Sequence, residues 1–170
     1  VGGINLHRQN TTRVNKAPIR DYHFELTGPI VQEIQYAFMK DWYFMTNESP
    51  EVLLQDVNFP SITTKGDCLA RVICSGPTSE LRTIADVFFM AIVRARRQIL
   101  IVTPYFVPPY DILRALRSAA IRGVDVRIIV PAKNNHIYAG WASRALYDEL
   151  IQSGVRVFER APPFLHAKAM

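Results

Sequence analysis

From about residue 98 onward, short apolar runs alternate with segments whose apolar residues recur every three or four positions. Short runs rich in β-branched residues predict buried strands, whereas a spacing of three or four predicts helices with one apolar face. The predicted strands are 99–102, 124–130 and 155–158, and the predicted helices are 111–121 and 139–152. Strands that alternate with helices predict a mainly parallel sheet flanked by helices, so the expected fold class is α/β.

The pattern in the first hundred residues is less regular. Alternation predicts strands at 20–26 and 68–74, and an apolar stripe predicts a helix from Pro29 to about residue 44. A second helix is expected to begin near residue 78 and to end in Arg94, Arg96 and Arg97. Residues 46–66 carry prolines and glycine without a clear period, which makes this segment the best candidate for a domain boundary. The last residues, 164–170, alternate again and predict one more strand.

Composition excludes several classes of protein. Hydrophobic residues make up 49% of the chain and the formal net charge is +5, which is typical of a globular domain and not of a disordered chain. No apolar run reaches the roughly 18 residues that a membrane-spanning helix needs. The glycine-rich phosphate loops and the G-x-S-x-G motif are missing, and the histidines lack a metal-binding spacing. We therefore expect no cofactor and no metal site.

The segment His166-Ala167-Lys168 is the strongest candidate for chemistry. On a strand, residues two apart project to the same face, about 6–7 Å apart. A lysine can hold a phosphate oxygen while a histidine attacks phosphorus or protonates the leaving oxygen. Asn5, which follows two glycines, can donate a hydrogen bond to another phosphate oxygen. Taken alone, a surface histidine beside a solvated lysine and a capping asparagine explain these residues equally well.

Several segments in order give this sequence a resemblance to the phospholipase D superfamily, and within it to the bacterial cardiolipin synthases. That family carries two copies of His-x-Lys-x4-Asp, each followed by a Gly-Gly/Ser-x-Asn segment. Gly2-Gly3-Ile4-Asn5 resembles the segment after the first copy, and His166-Ala167-Lys168 resembles the start of the second. Further similar stretches are Arg20-Asp21, Asp41-Trp42-Tyr43-Phe44, Thr103-Pro104-Tyr105-Phe106-Val107-Pro108, Arg122-Gly123-Val124-Asp125-Val126-Arg127 and Trp141-Ala142-Ser143-Arg144.

The resemblance implies a reaction in two steps that needs no metal. One histidine attacks a phosphodiester to form a phosphohistidine, and the other protonates the departing alcohol and then activates the acceptor. His166 would be the acid and base, whereas Lys168 and Asn5 would hold phosphate oxygens. In a synthase, one phosphatidylglycerol replaces the glycerol of another, at the cytoplasmic side of the bacterial cell membrane.

The resemblance also implies that this chain is a piece of a longer one, truncated at both ends. Residues 1–60 would be the end of a first phospholipase-D-like half, and residues 61–170 would be most of a second. Because only one His-x-Lys is present, we expect the piece alone to be inactive. A two-fold dimer that pairs two copies of His166 is an alternative, and the sequence leaves the oligomeric state open.

Other interpretations stay open. Tyr105 and Phe106 follow a predicted strand and would line either a pocket or the core, and His136 follows the next strand. The three arginines at 94, 96 and 97 are either helix-end charges or a patch for anionic headgroups. The alternative functions are a phosphodiesterase acting on phospholipid or nucleic acid, and a non-catalytic phosphate-binding module. Nucleic acid is disfavoured because aromatic residues do not interleave with the basic ones.

Overall fold

The computed structural model describes residues 1–5, 8–11, 17–76 and 81–170. They form two compact units, of which one joins Val1–Phe24 to Ala85–Met170 and the other is Glu25–Ile84. The helices are α1 (Ile30–Thr46), α2 (Pro50–Leu53), α3 (Thr83–Arg94), α4 (Tyr110–Ile121), α5 (Ile137–Arg144) and α6 (Tyr147–Gln152), preceded by a 3-10 turn at Arg8–Asn10. The expected division near residue 60 concerns the two halves of the family and stays a prediction.

The larger unit is built on three parallel strands, β1 (Gln98–Val102), β2 (Asp125–Pro131) and β3 (Arg156–Arg160). β2 lies in the middle, with Val102 beside Ile129 and Ile129 beside Phe158. The order of strands and helices confirms the predicted α/β class. All three strands run in the same direction, so the loops that follow them meet at one edge of the sheet, as in other parallel sheets.

One face of the sheet is covered by helices and forms the core. The alternate residues Val126, Ile128 and Val130 of β2 are buried, and α4 packs its apolar stripe on them. Leu116 of α4 and Leu150 of α6 are completely buried. α4 stops where Gly123 adopts a φ of +89°, a left-handed conformation that glycine takes without steric cost. The spacing of apolar residues therefore determines how this layer packs.

The predicted strands 20–26 and 164–170 form only isolated bridges. Residue 165 pairs with Arg20 in parallel, Ala169 pairs with Val102 in antiparallel, and Gly2 pairs with His23. The C-terminal segment thus crosses from one neighbour to another, so no continuous ladder develops. Both ends of the described chain nevertheless meet the sheet at the carboxyl end of β1.

Three other predictions need correction. Residues 68–74 do not form a strand, because no strand pairs with them and the Val72 N–H donates to the Glu33 carboxylate instead (3.2 Å). The helix predicted at 139–152 is two helices, since the Leu146 N–H bonds three residues back and tightens the turn between them. α3 begins at Thr83, and the expected start at 78 lies outside the described residues.

The membrane prediction can be examined for the helices of the described part. α1 is 17 residues long, and none of its residues is fully buried. Among the described helices, none combines the length and the apolar character needed to cross a bilayer.

Candidate functional site at the carboxyl edge of the sheet

The C-terminal segment separates its residues by face, as its alternation predicts. Leu165 and Ala167 are buried, whereas His166 is only partly covered and Lys168 is exposed. The His166 N–H donates to the Arg20 carbonyl (2.7 Å), and the Arg20 N–H donates to the Phe164 carbonyl (2.8 Å). These two backbone hydrogen bonds bring residues 20 and 21 alongside His166.

The Asp21 carboxylate is the partner of the imidazole. Its Oδ2 lies 2.8 Å from His166 Nδ1, and the Asp21 side chain is 6% exposed against 20% for His166. A carboxylate that accepts the Nδ1–H fixes the orientation of the ring and leaves Nε2 for proton transfer. Sequence reasoning noted Arg20-Asp21 only as part of a resemblance and missed this role. No local pattern links Asp21 to a residue 145 positions away.

Lys168 lies against the same ring. Its Nζ is 3.1 Å from both ring nitrogens, and it donates to the His166 carbonyl oxygen (2.7 Å). The two side chains are therefore closer than the expected 6–7 Å, because the long lysine side chain folds back along its own strand. An ammonium group has three N–H donors, so one remains available for a phosphate oxygen after the ring and the carbonyl are served.

The N-terminal glycines approach these charged groups. A Cβ atom on Gly3 would stand 3.1 Å from Asp21 Oδ2 and 3.4 Å from Lys168 Nζ, so the backbone borders both. Asn5 is exposed two residues further on, and its carbonyl oxygen accepts a hydrogen bond from Asn10 Nδ2 (2.5 Å). No hydrogen bond joins the Asn5 side chain to His166 or Lys168, so its contact with a phosphate stays a prediction.

Aromatic rings line the approach to the imidazole. The centroid of the Tyr105 ring lies 6.3 Å from His166, 5.4 Å from His136 and 6.5 Å from Phe164. The Tyr105 hydroxyl donates to Asn135 Oδ1 (2.9 Å), which holds the ring in place. Tyr105 and His136 therefore belong to the site region, and Phe164 joins them although the sequence did not single it out.

Phe106 is placed differently from its neighbour. It is 5% exposed and belongs to the hydrophobic core, so it does not face the imidazole with Tyr105. We therefore assign Phe106 to packing and not to a pocket.

A cavity of about 330 Å³ adjoins the Asp21 backbone at the same edge of the sheet. It contains two guanidinium groups among apolar side chains, and its lining is Arg20, Asp21, Tyr22, Val102, Ile129, Arg160 and Leu165. Arginine pairs well with phosphate, and the apolar residues suit the less polar part of a ligand. The edge thus combines a proton-transfer group, three cationic side chains and a carboxylate that orients the histidine.

Comparison with known proteins follows the same segment. Residues 89–170 match the family model described as cardiolipin synthase, PLD-like domain. This segment belongs to that phospholipase D-like family. The matched residues include His166, Lys168 and the whole three-stranded sheet.

The similarity to cardiolipin synthases extends beyond the matched segment. The chain is 37% identical over 174 residues to a cardiolipin synthase of Geobacillus thermodenitrificans, covering 100% of this chain and 34% of that protein. It is 36% identical over 174 residues to cardiolipin synthase A of Pseudomonas putida, covering 100% of this chain and 35% of that protein. The chain thus spans about a third of the length of the curated relatives it matches.

One solved structure is also similar. Nuc from Salmonella typhimurium, a phospholipase D family member, is 30% identical, with a TM-score of 0.42. The match covers 51% of this chain and 53% of that one.

Proposed function

We propose that this chain supplies the acid/base half of a phosphatidyl-transfer site in a cardiolipin synthase-like enzyme. One observation carries the proposal: the Asp21 carboxylate lies 2.8 Å from His166 Nδ1, with Lys168 Nζ 3.1 Å from the same ring. Because the carboxylate engages Nδ1, His166 Nε2 is the nitrogen that gives and takes a proton. The similarity of the whole chain to cardiolipin synthases supports a phospholipid as the substrate.

The proposed reaction transfers a phosphatidyl group between two phosphatidylglycerol molecules. A histidine of the other half attacks the phosphorus of the first, and the bond from phosphorus to the glycerol oxygen breaks. His166 gives its Nε2 proton to that oxygen, so glycerol leaves and a phosphohistidine remains. His166 then takes a proton from a glycerol hydroxyl of the second phosphatidylglycerol. That oxygen attacks the phosphohistidine, cardiolipin forms and the first histidine is released.

Three residues would assist His166. Asp21 holds the ring and stabilises the imidazolium that forms when His166 is protonated. Lys168 binds a non-bridging phosphate oxygen with its remaining donor. Asn5 binds a second oxygen from the glycine-rich segment that borders Asp21 and Lys168. Tyr105 and His136 would line the headgroup pocket, which the aromatic contacts described above support.

We infer the arrangement in the longer protein from the family pattern. Residues 1–60 would close a first phospholipase-D-like half, and residues 61–170 would form most of a second. The facing histidine would come from the first half, at the cytoplasmic surface of the membrane. Since this chain has a single His-x-Lys, it should be inactive alone.

Two measurements test the proposal. Purified chain 1–170, incubated with labelled phosphatidylglycerol, should give neither cardiolipin nor phosphatidic acid, and formation of either product would contradict the need for a second histidine. In the full-length enzyme that carries this segment, H166A should lower turnover by about 10²–10⁴-fold, the range for loss of a general acid/base group. H23A is the matched control, because His23 is exposed at the same edge and has no role in the scheme. Full turnover by H166A would remove His166 from the mechanism.

A further inference from the structure

A cluster of arginines lies at the other end of the sheet. Arg94, Arg96 and Arg97 are exposed just before β1, and they line an open depression of about 790 Å³ with Gln98 and Asp125. We call these three residues the arginine cluster. β1 spans four residue steps, so the cluster is about 13 Å or more from the carboxyl edge where His166 lies. It is therefore separate from the proposed catalytic site.

The carboxylate in the depression is already committed to other arginines. Asp125 pairs with Arg127 (2.7 Å) and with Arg156. Hydrogen bonds from these two arginines lower the pKa of Asp125 to about 2, so it is ionised and its charge is taken up. Within the described part of the chain, no ion pair or hydrogen bond engages the side chains of the arginine cluster. Three positive charges thus stand close together without compensation.

The dipole of α3 does not account for this cluster. Basic residues are favourable in the last turn of a helix, and the effect fades beyond it. α3 ends at Arg94, so this explanation covers Arg94 and leaves Arg96 and Arg97, which follow the helix. Like charges placed next to one another without a partner repel, so folding alone gives no reason for the arrangement.

We propose that the arginine cluster is a docking surface for an anionic phospholipid bilayer. Guanidinium groups bind phosphate oxygens in pairs, and a tight group of exposed arginines matches a surface with many phosphates. The neighbours of these arginines are Ala95 and Gln98, so no aromatic ring is present among them to stack on a nucleic acid base. The proposal requires no catalysis and stands apart from the function proposed for His166.

Vesicle binding by chain 1–170 tests this surface. Partition is measured by sedimentation with vesicles that mix phosphatidylglycerol and phosphatidylcholine, and with vesicles of phosphatidylcholine alone. Each basic residue near an anionic surface strengthens binding about fivefold, so R94Q/R96Q/R97Q should weaken it about a hundredfold. The charge-retaining variant R94K/R96K/R97K should keep most of the binding. Thermal unfolding of each variant establishes that the chain is folded.

A matched control removes the same total charge from scattered positions. R8Q/K65Q/R114Q changes three exposed basic residues outside the arginine cluster, and it should lose only a few-fold in binding. H166A should bind vesicles like the unmodified chain. Equal loss in the scattered and cluster variants would overturn the proposal, because net charge alone would then explain binding.

Three further results would also overturn it. The first is equal binding to phosphatidylcholine vesicles, which would mean that anionic lipid is not recognised. The second is displacement of vesicles by inorganic phosphate at constant ionic strength, which would make the cluster a site for a free anion. The third is cluster-dependent binding of a single-stranded oligonucleotide that is tighter than vesicle binding.

Discussion

The contact between Asp21 and His166 predicts energetic coupling between residues 145 positions apart. D21N, H166A and the double variant form a thermodynamic cycle that isolates the interaction of the two side chains. A hydrogen bond to a charged group contributes about 1.5–3 kcal/mol, whereas an exposed ion pair contributes about 0.2–1 kcal/mol. With Asp21 only 6% exposed and His166 20% exposed, we expect a coupling free energy of about 2 kcal/mol.

A second pair in the same unit provides the control. Arg144 Nε and Glu159 Oε1 are also 2.8 Å apart, but their side chains are 47% and 35% exposed. A cycle with R144A and E159Q should therefore give less than about 1 kcal/mol, because solvent screens the interaction. The two pairs share one distance and differ in burial, so burial decides the expected difference.

Urea unfolding followed by tryptophan fluorescence measures both cycles. Trp141 lies in the unit that holds the site, whereas Trp42 lies in the other unit. All variants are therefore made in a W42F background, so that the signal reports the unfolding of the relevant unit. A coupling for Asp21 and His166 no larger than that for Arg144 and Glu159 would refute the proposed contact.

Three more predictions concern the same unit. Gly2→Ala should destabilise it by about 1–3 kcal/mol, because a Cβ would lie 2.6 Å from the Tyr22 carbonyl oxygen, whereas a Cβ on Gly76 meets no described atom within 4 Å and G76A should be neutral by the same thermal melt. Leu116→Ala should cost about 2–5 kcal/mol of unfolding free energy in urea, and Ile121→Ala, at an exposed end of the same helix, less than about 0.5 kcal/mol. The lowered pKa of Asp125, about 2 against 3.8, means that its stabilising contribution is present above pH 4 and is lost as the pH falls towards 2. D125N should therefore show a shallower loss of stability across that interval, and parallel acid-unfolding curves would contradict this.

Local periodicity was sufficient to predict the elements whose packing partners are near in sequence. The apolar spacing of α1 and α4, and the β-branched runs of β1 and β2, placed each element within a few residues of its observed bounds. These segments form one apolar face or one buried run, which is the property that periodicity measures. The alternation of strand and helix then led to the parallel sheet.

The failures occur where a long-range partner decides the structure. Residues 68–74 alternate like a strand, but alternation predicts a pleated segment and cannot supply the neighbour that completes a ladder. Residues 164–170 do pair, with Arg20 at one end and Val102 at the other, so the segment bridges two neighbours. Propensity within either segment contains no information about these partners.

The same distinction applies to the candidate site. His166 and Lys168 were recognised because their spacing places them on one face of a short segment. Asp21 was missed as a functional residue because its meeting with His166 depends on two backbone hydrogen bonds between distant segments. Tyr105 and Phe106 were grouped together, although adjacent residues in extended chain point in opposite directions, which explains why one faces the site and the other the core.

The register of the C-terminal segment explains how the site is assembled. Ala169 pairs with Val102 in antiparallel, so moving back along the chain to His166 corresponds to moving forward from Val102 to Tyr105. The imidazole and the Tyr105 ring therefore meet just past the end of β1, 6.3 Å apart. The arginine cluster lies before the start of the same strand. Because about 13 Å of rigid strand separates the two regions, substitutions in one should act additively with substitutions in the other.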